Sequence, residues 1–138
     1  MEQEYVSILR FNQYVVDEIS FKNNENFIKK DEKMSIIFNI EKDVKKTENN
    51  IEVKLMTTIF KEAEKNNYPF EMKVVLTGYF TVENNEKNIN FEPNAIAILF
   101  PYIRAIVSTY TASANVPPLI LPAINVNKLI EDNEKTSN

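Results

Sequence analysis

The 138-residue sequence has no histidine, no cysteine, no tryptophan and a single glycine, Gly78. Each absence closes a class of function. Zinc sites rely on Cys and His, so no metal is expected. Neither a Ser-His nor a Cys-His pair can form within one chain. Disulfides are impossible, which suits a reducing compartment. Phosphate loops need several glycines where backbone approaches phosphate, and one does not suffice, so no cofactor is expected either. Arginine occurs only at Arg10 and Arg104 and the net charge is −4, which leaves no basic footprint for nucleic acid. The opening MEQEYVSILRF lacks the basic-then-apolar order of a signal peptide. The longest apolar stretch, residues 95–107, is broken by Pro101, Tyr102 and Arg104, so no segment is expected to span a bilayer. A cytoplasmic protein is expected.

What is present suits a single domain over residues 1–138. Hydrophobic residues make up 43% and charged residues 26%, the balance of an ordinary globular chain. Met34, Ile36, Phe38 and Ile40 share one parity, as do Ile51, Val53, Leu55, Thr57 and Ile59, and Tyr68, Phe70, Met72, Val74, Leu76, Phe80 and Val82. Alternation of this kind marks strands with one buried face. An earlier run from Tyr5 to Phe21 changes register near Asn12 and Gln13, the signature of a bulge. Asn-rich breaks at 45–50, 64–67 and 83–86 are expected to close hairpins, because Asn tolerates positive φ. Residues 23–33 are longer and should cross between strands. Four antiparallel strands result.

After Phe91 the period changes. Ile96, Leu99, Phe100, Ile103, Val107 and Tyr110 recur at three- and four-residue steps, which predicts a helix capped by Asn90 or Asn94. Pro101 should kink it or mark its start. Ala95, Ala97, Ile98, Ala105 and Ile106 fill its other side, so the helix needs partners on two sides. One sheet covers only one of them, which points to oligomerisation through the helix. Three prolines within residues 117–122 then force an extended connector. Asn125 is placed to cap a short final helix from Val126 to about Glu131, followed by a loose polar tail over 132–138.

Two stretches, Leu99-Phe100-Pro101-Tyr102-Ile103-Arg104 and Val116-Pro117-Pro118-Leu119-Ile120-Leu121-Pro122-Ala123-Ile124-Asn125-Val126, together with Asp17-Glu18-Ile19-Ser20-Phe21, resemble the SecB family of export chaperones. The order of elements resembles that family over nearly the whole chain. The resemblance implies an α+β fold: a four-stranded antiparallel sheet, a long helix in the C-terminal half and a short final helix, assembled as a dimer of dimers. It implies an ATP-independent holdase for unfolded or nonnative polypeptides in protein export, or one dedicated to an antitoxin. It also implies SecA as a partner, docked on acidic residues of the sheet. The first such position is Glu18, but the other two are Lys22 and Lys73, and charge reversal weakens electrostatic docking.

Candidate client-groove residues are Met34, Ile36, Phe38, Leu55, Phe80, Tyr102, Pro117, Leu119, Leu121 and Ile124. Half-buried strands and connectors carry such residues as core too, so both readings stand. Candidate interface residues are Ile96, Phe100, Ile103, Val107 and Tyr110; the aromatics among them, with Tyr102, fit client stacking equally. Arg104 fits either a carboxylate across an interface or solvent. Glu62 with Glu64, and Glu131 with Asp132, are the closest carboxylate pairs. Both lie in polar stretches where nothing predicts the burial that acid–base work needs, so the chain is not expected to be an enzyme. A small apolar ligand held between sheet and helix is the remaining alternative.

Overall fold

A computed structural model describes residues 9–83 and 91–137. The start of the first alternating run, the break at 84–86 and the candidate cap Asn90 lie outside them. Strands β1 (Leu9–Asn23), β2 (Phe38–Thr47), β3 (Asn50–Ile59) and β4 (Phe70–Val82) are joined by a helical turn, α1 (Ala63–Asn66), and followed by α2 (Glu92–Ser113) and α3 (Val126–Ser137). The strands form one antiparallel sheet in the order β1-β4-β3-β2. This is the expected architecture. The chain must cross the sheet end between β1 and β2, because β4 and β3 lie between them.

The inner face follows the period-two pattern. Odd positions of β3 and even positions of β4 are buried, among them Val53, Leu55, Met72, Val74, Leu76 and Phe80. On β2 the same row continues through Lys42, whose Nζ lies 2.7 Å from Glu92 Oε2 at the start of α2. Pairing on β2 begins only at Phe38. Met34 and Ile36, expected in that strand, therefore lie in the crossover: alternation in sequence outran the hydrogen-bonded ladder.

Strand β1 is bulged twice against β4, between Phe11 and Gln13 and between Val16 and Glu18. The first bulge is where the sequence placed it. The two shifts let Phe11, Tyr14, Val16, Ile19 and Phe21 all oppose inner-row residues of β4, although their spacing is irregular. At the second bulge the Thr77 hydroxyl donates to Asp17 Oδ2 at 2.5 Å.

Helix α2 buries Ile96, Leu99, Phe100, Ile103 and Val107 against the sheet. Gly78 is the reason it sits so close. A Cβ there would lie 2.5 and 2.8 Å from the Leu99 methyls, so a close approach is what this glycine supplies. Asn94 lies inside the helix and does not cap it. Phe91 is the cap residue, without a side-chain bond, and Pro93 in the first turn presets φ. Pro101 lies inside α2, not at its start. By length and composition α2 is long and apolar enough to cross a membrane, which corrects the expectation that no segment is. In this fold it is the helix that covers the sheet.

Asn125 Oδ1 accepts the Lys128 N–H at 3.0 Å, the expected cap of α3. The helix runs on to Ser137, past the expected end near Glu131, since no Gly or Pro interrupts a Glu- and Lys-containing segment. Asn67 takes positive φ as expected, but so do Glu48, Phe60 and Glu62. At Phe60, burial and a backbone hydrogen bond hold the left-handed backbone. Phe60 is buried edge-on to Phe70 at 5.3 Å, and its N–H donates to the Ile37 carbonyl at 2.9 Å.

Candidate functional site

The crossover, residues 24–37, has no ladder of its own, so side chains must fix it. Buried Asn24 does most of this. Its amide donates to the carbonyls of Tyr68 (2.9 Å) and Ala63 (3.3 Å), its Oδ1 accepts the Asn26 N–H, and its own N–H donates to the Pro69 carbonyl. Asn67 clamps Ile28 from both sides, accepting its N–H at 2.9 Å and donating to its carbonyl at 3.0 Å. The two asparagines tie the crossover to the β3–β4 connection.

This arrangement leaves a groove of about 610 Å³ between crossover, β3–β4 connection and connector. Phe27, Ile28, Met34, Tyr68, Pro69 and Pro117 form its apolar lining. Ile28 is 69% exposed and Met34 41%, so the lining is open to solvent.

Its far wall, the connector, is held to α2 through polar side chains. Arg104 Nε donates to the Leu121 carbonyl and Ser108 Oγ to the Leu119 carbonyl, each at 2.9 Å. The Leu119 N–H donates to Thr111 Oγ1 at 2.9 Å. Within the chain Arg104 docks the connector. A second open groove, about 580 Å³, runs between β2 and α3 and brings Phe38 and Ile40 to Ile124 and Leu129.

Of the candidate groove residues, Met34 and Pro117 meet in the first groove, and Phe38 and Ile124 in the second. Ile36 and Leu119 are half-buried against the core. Leu55, Phe80 and Leu121 are buried in the core of the single chain, so they offer no groove surface. Tyr102 lies elsewhere, stacked on Tyr14 with ring centroids 4.3 Å apart and beside Phe11 at 5.9 Å. Phe27, Ile28, Tyr68 and Pro69 were missed. Phe27 and Ile28 did carry a signal, as an apolar pair in an otherwise polar stretch.

A different apolar surface lies along β1 and α2. Tyr14, Val16 and Ile19 are each more than a third exposed, and Tyr110 is equally exposed with Phe21 at 5.7 Å. Half-buried Tyr102 and Ile106 join them. The residues expected at a helix interface need correction. Ile96, Phe100, Ile103 and Val107 are spent on the chain's own sheet, and only Tyr110 remains available. Periodicity located both faces of α2 but could not say which one the sheet would take.

Residues 2–137 match the family of preprotein translocase subunit SecB. The chain belongs to the SecB family. An uncharacterized protein of Methanocaldococcus jannaschii is 41% identical over 91% of this chain and 84% of its own length. The protein-export protein SecB of Orientia tsutsugamushi (strain Boryong) is 28% identical over 91% of this chain and 82% of its own. Among solved structures, a SecB-like chaperone of Mycobacterium tuberculosis, in complex with a peptide from an antitoxin, covers 85% of this chain and 88% of its own. Its TM-score is 0.60 at 16% identity. A Streptococcus agalactiae protein of unknown function aligns with TM-score 0.52 at 11% identity, over 83% and 97% of the two chains. The fold is therefore that of a SecB-like chaperone, and SecB membership supports a chaperone role.

The outer face of the sheet carries charges of both signs side by side. Glu18 Oε2 lies 3.7 Å from Lys73 Nζ, and Lys22 stands opposite Glu71 in the β1–β4 register. Of the three positions expected to dock SecA, Glu18 is thus paired with Lys73 of its own chain.

Proposed function

We propose that this SecB-family chain is an ATP-independent holdase. It binds nonnative polypeptides in the two open grooves and works as a cytoplasmic dimer of dimers without catalysis. The observation that carries this reading is the open apolar groove around Met34 and Pro117. Large apolar side chains left in water along a concave surface mark a binding site more often than a packing defect. Irregular backbone with a flexible Met lining suits many client sequences. The β1/α2 face supports self-association, being a partly exposed apolar surface with several aromatics on regular elements.

The test is light scattering from a chemically denatured, aggregation-prone client without nucleotide. The wild-type chain is expected to suppress aggregation near stoichiometry. Ile28→Asp with Met34→Asp should abolish this while circular dichroism stays unchanged. Suppression that survives the double variant would overturn the groove assignment.

Export clients handed to SecA are the first client reading. A dedicated partner is the second, supported by the Glu18–Lys73 pair, which removes negative charge from the docking face. The Mycobacterium tuberculosis neighbour, solved with an antitoxin peptide, is consistent with that second reading. A pull-down sorted into precursors, SecA and antitoxin separates the two. A small apolar ligand between sheet and helix is disfavoured, because the Gly78–Leu99 approach leaves no room there.

A further inference from the structure

Among the described residues, the Met34–Pro117 groove is lined by three lysines, Lys29, Lys30 and Lys33, against one carboxylate, Glu32. All four are exposed. The remaining charges of the crossover, Glu25 and Asp31, do not line it. This local excess of positive charge stands in a chain whose net charge is −4. The lysines that form ion pairs among the described residues, Lys42 and Lys73, lie on the sheet instead. The groove is thus an apolar trough with a cationic rim on an acidic protein.

We propose that this groove selects polypeptide segments in which an apolar stretch is flanked by aspartate or glutamate, and discriminates against lysine- and arginine-flanked segments. The inference rests on the holdase reading and names its client class. The apolar lining takes alternate side chains of an extended segment, and the rim lysines meet carboxylates at its ends. Away from the groove the net negative field repels acidic chains, so the lysines orient the segment into the one place where its charge is matched. The rim is solvated, so each contact is weak and screened by salt. The effect is on choice among clients more than on total affinity.

Fluorescence anisotropy with three labelled peptides tests this. They share an extended centre of alternating leucine, phenylalanine and valine, flanked on both sides by aspartate, lysine or serine. The aspartate-flanked peptide is expected to bind about tenfold more tightly than the lysine-flanked one near 0.01 M salt. Three exposed pairs of modest strength add to that ratio. Raising salt to about 1 M, where the screening length is about 3 Å, should bring the ratio close to one. Replacing Lys29, Lys30 and Lys33 by Gln should remove the preference and leave serine-flanked binding unchanged. Replacing Lys45, Lys46 and Lys54 by Gln makes the same change in net charge away from the groove and should preserve it. If the serine-flanked peptide binds but the acidic and basic ones bind equally, charge selection is wrong and the holdase stands. A preference that survives the Lys29/Lys30/Lys33 variant also refutes it. If none of the three binds, the holdase reading itself fails.

Discussion

The β1/α2 face and the crossover groove both leave large apolar side chains in water, yet they are built on different backbones. Tyr14, Val16 and Ile19 stand on a strand paired along its length to β4, with Tyr102 of α2 stacked on Tyr14. Phe27, Ile28 and Met34 stand on a segment without ladder bonds, fixed by two asparagines. A surface on regular elements is preorganised and loses little entropy on meeting a complementary surface of fixed shape. One on irregular backbone adapts to many sequences. The first suits a second copy of the chain and the second suits clients. The division is open to direct attack.

The largest expected effect comes from charging the first surface. Val16→Asp with Ile19→Asp would place unpaired carboxylates in a buried interface, at about 3–5 kcal/mol each. The mass by light scattering should fall to that of one chain, with serine-flanked peptide binding within about twofold of wild type. Both side chains are partly exposed in the single chain, so circular dichroism should be unchanged. An unaltered mass would break the division, and so would loss of peptide binding in a folded monomer.

Gly78→Ala comes next. The added Cβ would meet Leu99 methyls that are themselves fully buried, and overpacking of this kind costs about 1–3 kcal/mol. Because α2 carries part of the proposed self-association surface, the midpoint of urea denaturation should fall and the assembly should weaken with it. Stability equal to wild type would mean that α2 can shift outward freely, and that its seat on the sheet does not set the shape of the β1/α2 face.

How far the sequence foresees this division follows from the same physics. Period-two burial on β3 and β4 is local and dominated by apolar side chains, so both strands and their inner rows were legible. The bulge at Asn12 was visible because it breaks that period. The grooves were only half legible. Met34 and Pro117 could be named, but their meeting depends on a crossover whose order comes from Asn24 and Asn67, and hydrogen bonds over some forty residues leave no periodic trace. Leu55, Phe80 and Leu121 were drawn into the groove set because apolar pattern marks burial without saying whether chain or client does the burying.

Asn24→Ala probes that long-range order. It removes a buried amide that satisfies two carbonyls, at about 1–2 kcal/mol. The loss should be local. Amide exchange in residues 25–36 should speed up and peptide affinity should drop severalfold, while the assembly mass holds. Unchanged exchange across the crossover would show that the segment is ordered by apolar contacts alone, and the contrast between the two surfaces would narrow.

The smallest effect on the chain itself belongs to the outer face. Glu18 and Lys73 are about half exposed at 3.7 Å, a geometry worth less than about 0.5 kcal/mol. Lys73→Glu with Lys22→Glu should therefore barely move the denaturation midpoint, the assembly mass or groove binding. It would, however, set like charges beside Glu18 and Glu71, since Lys73 reaches Glu18 and Lys22 stands opposite Glu71. A basic partner would then meet a continuous acidic patch. Its affinity should rise over wild type at low salt and lose that gain at high salt. Wild-type affinity already equal to that of the double variant would show that the lysines do not mask the face. The outer sheet would then count as a third working surface beside the two compared here.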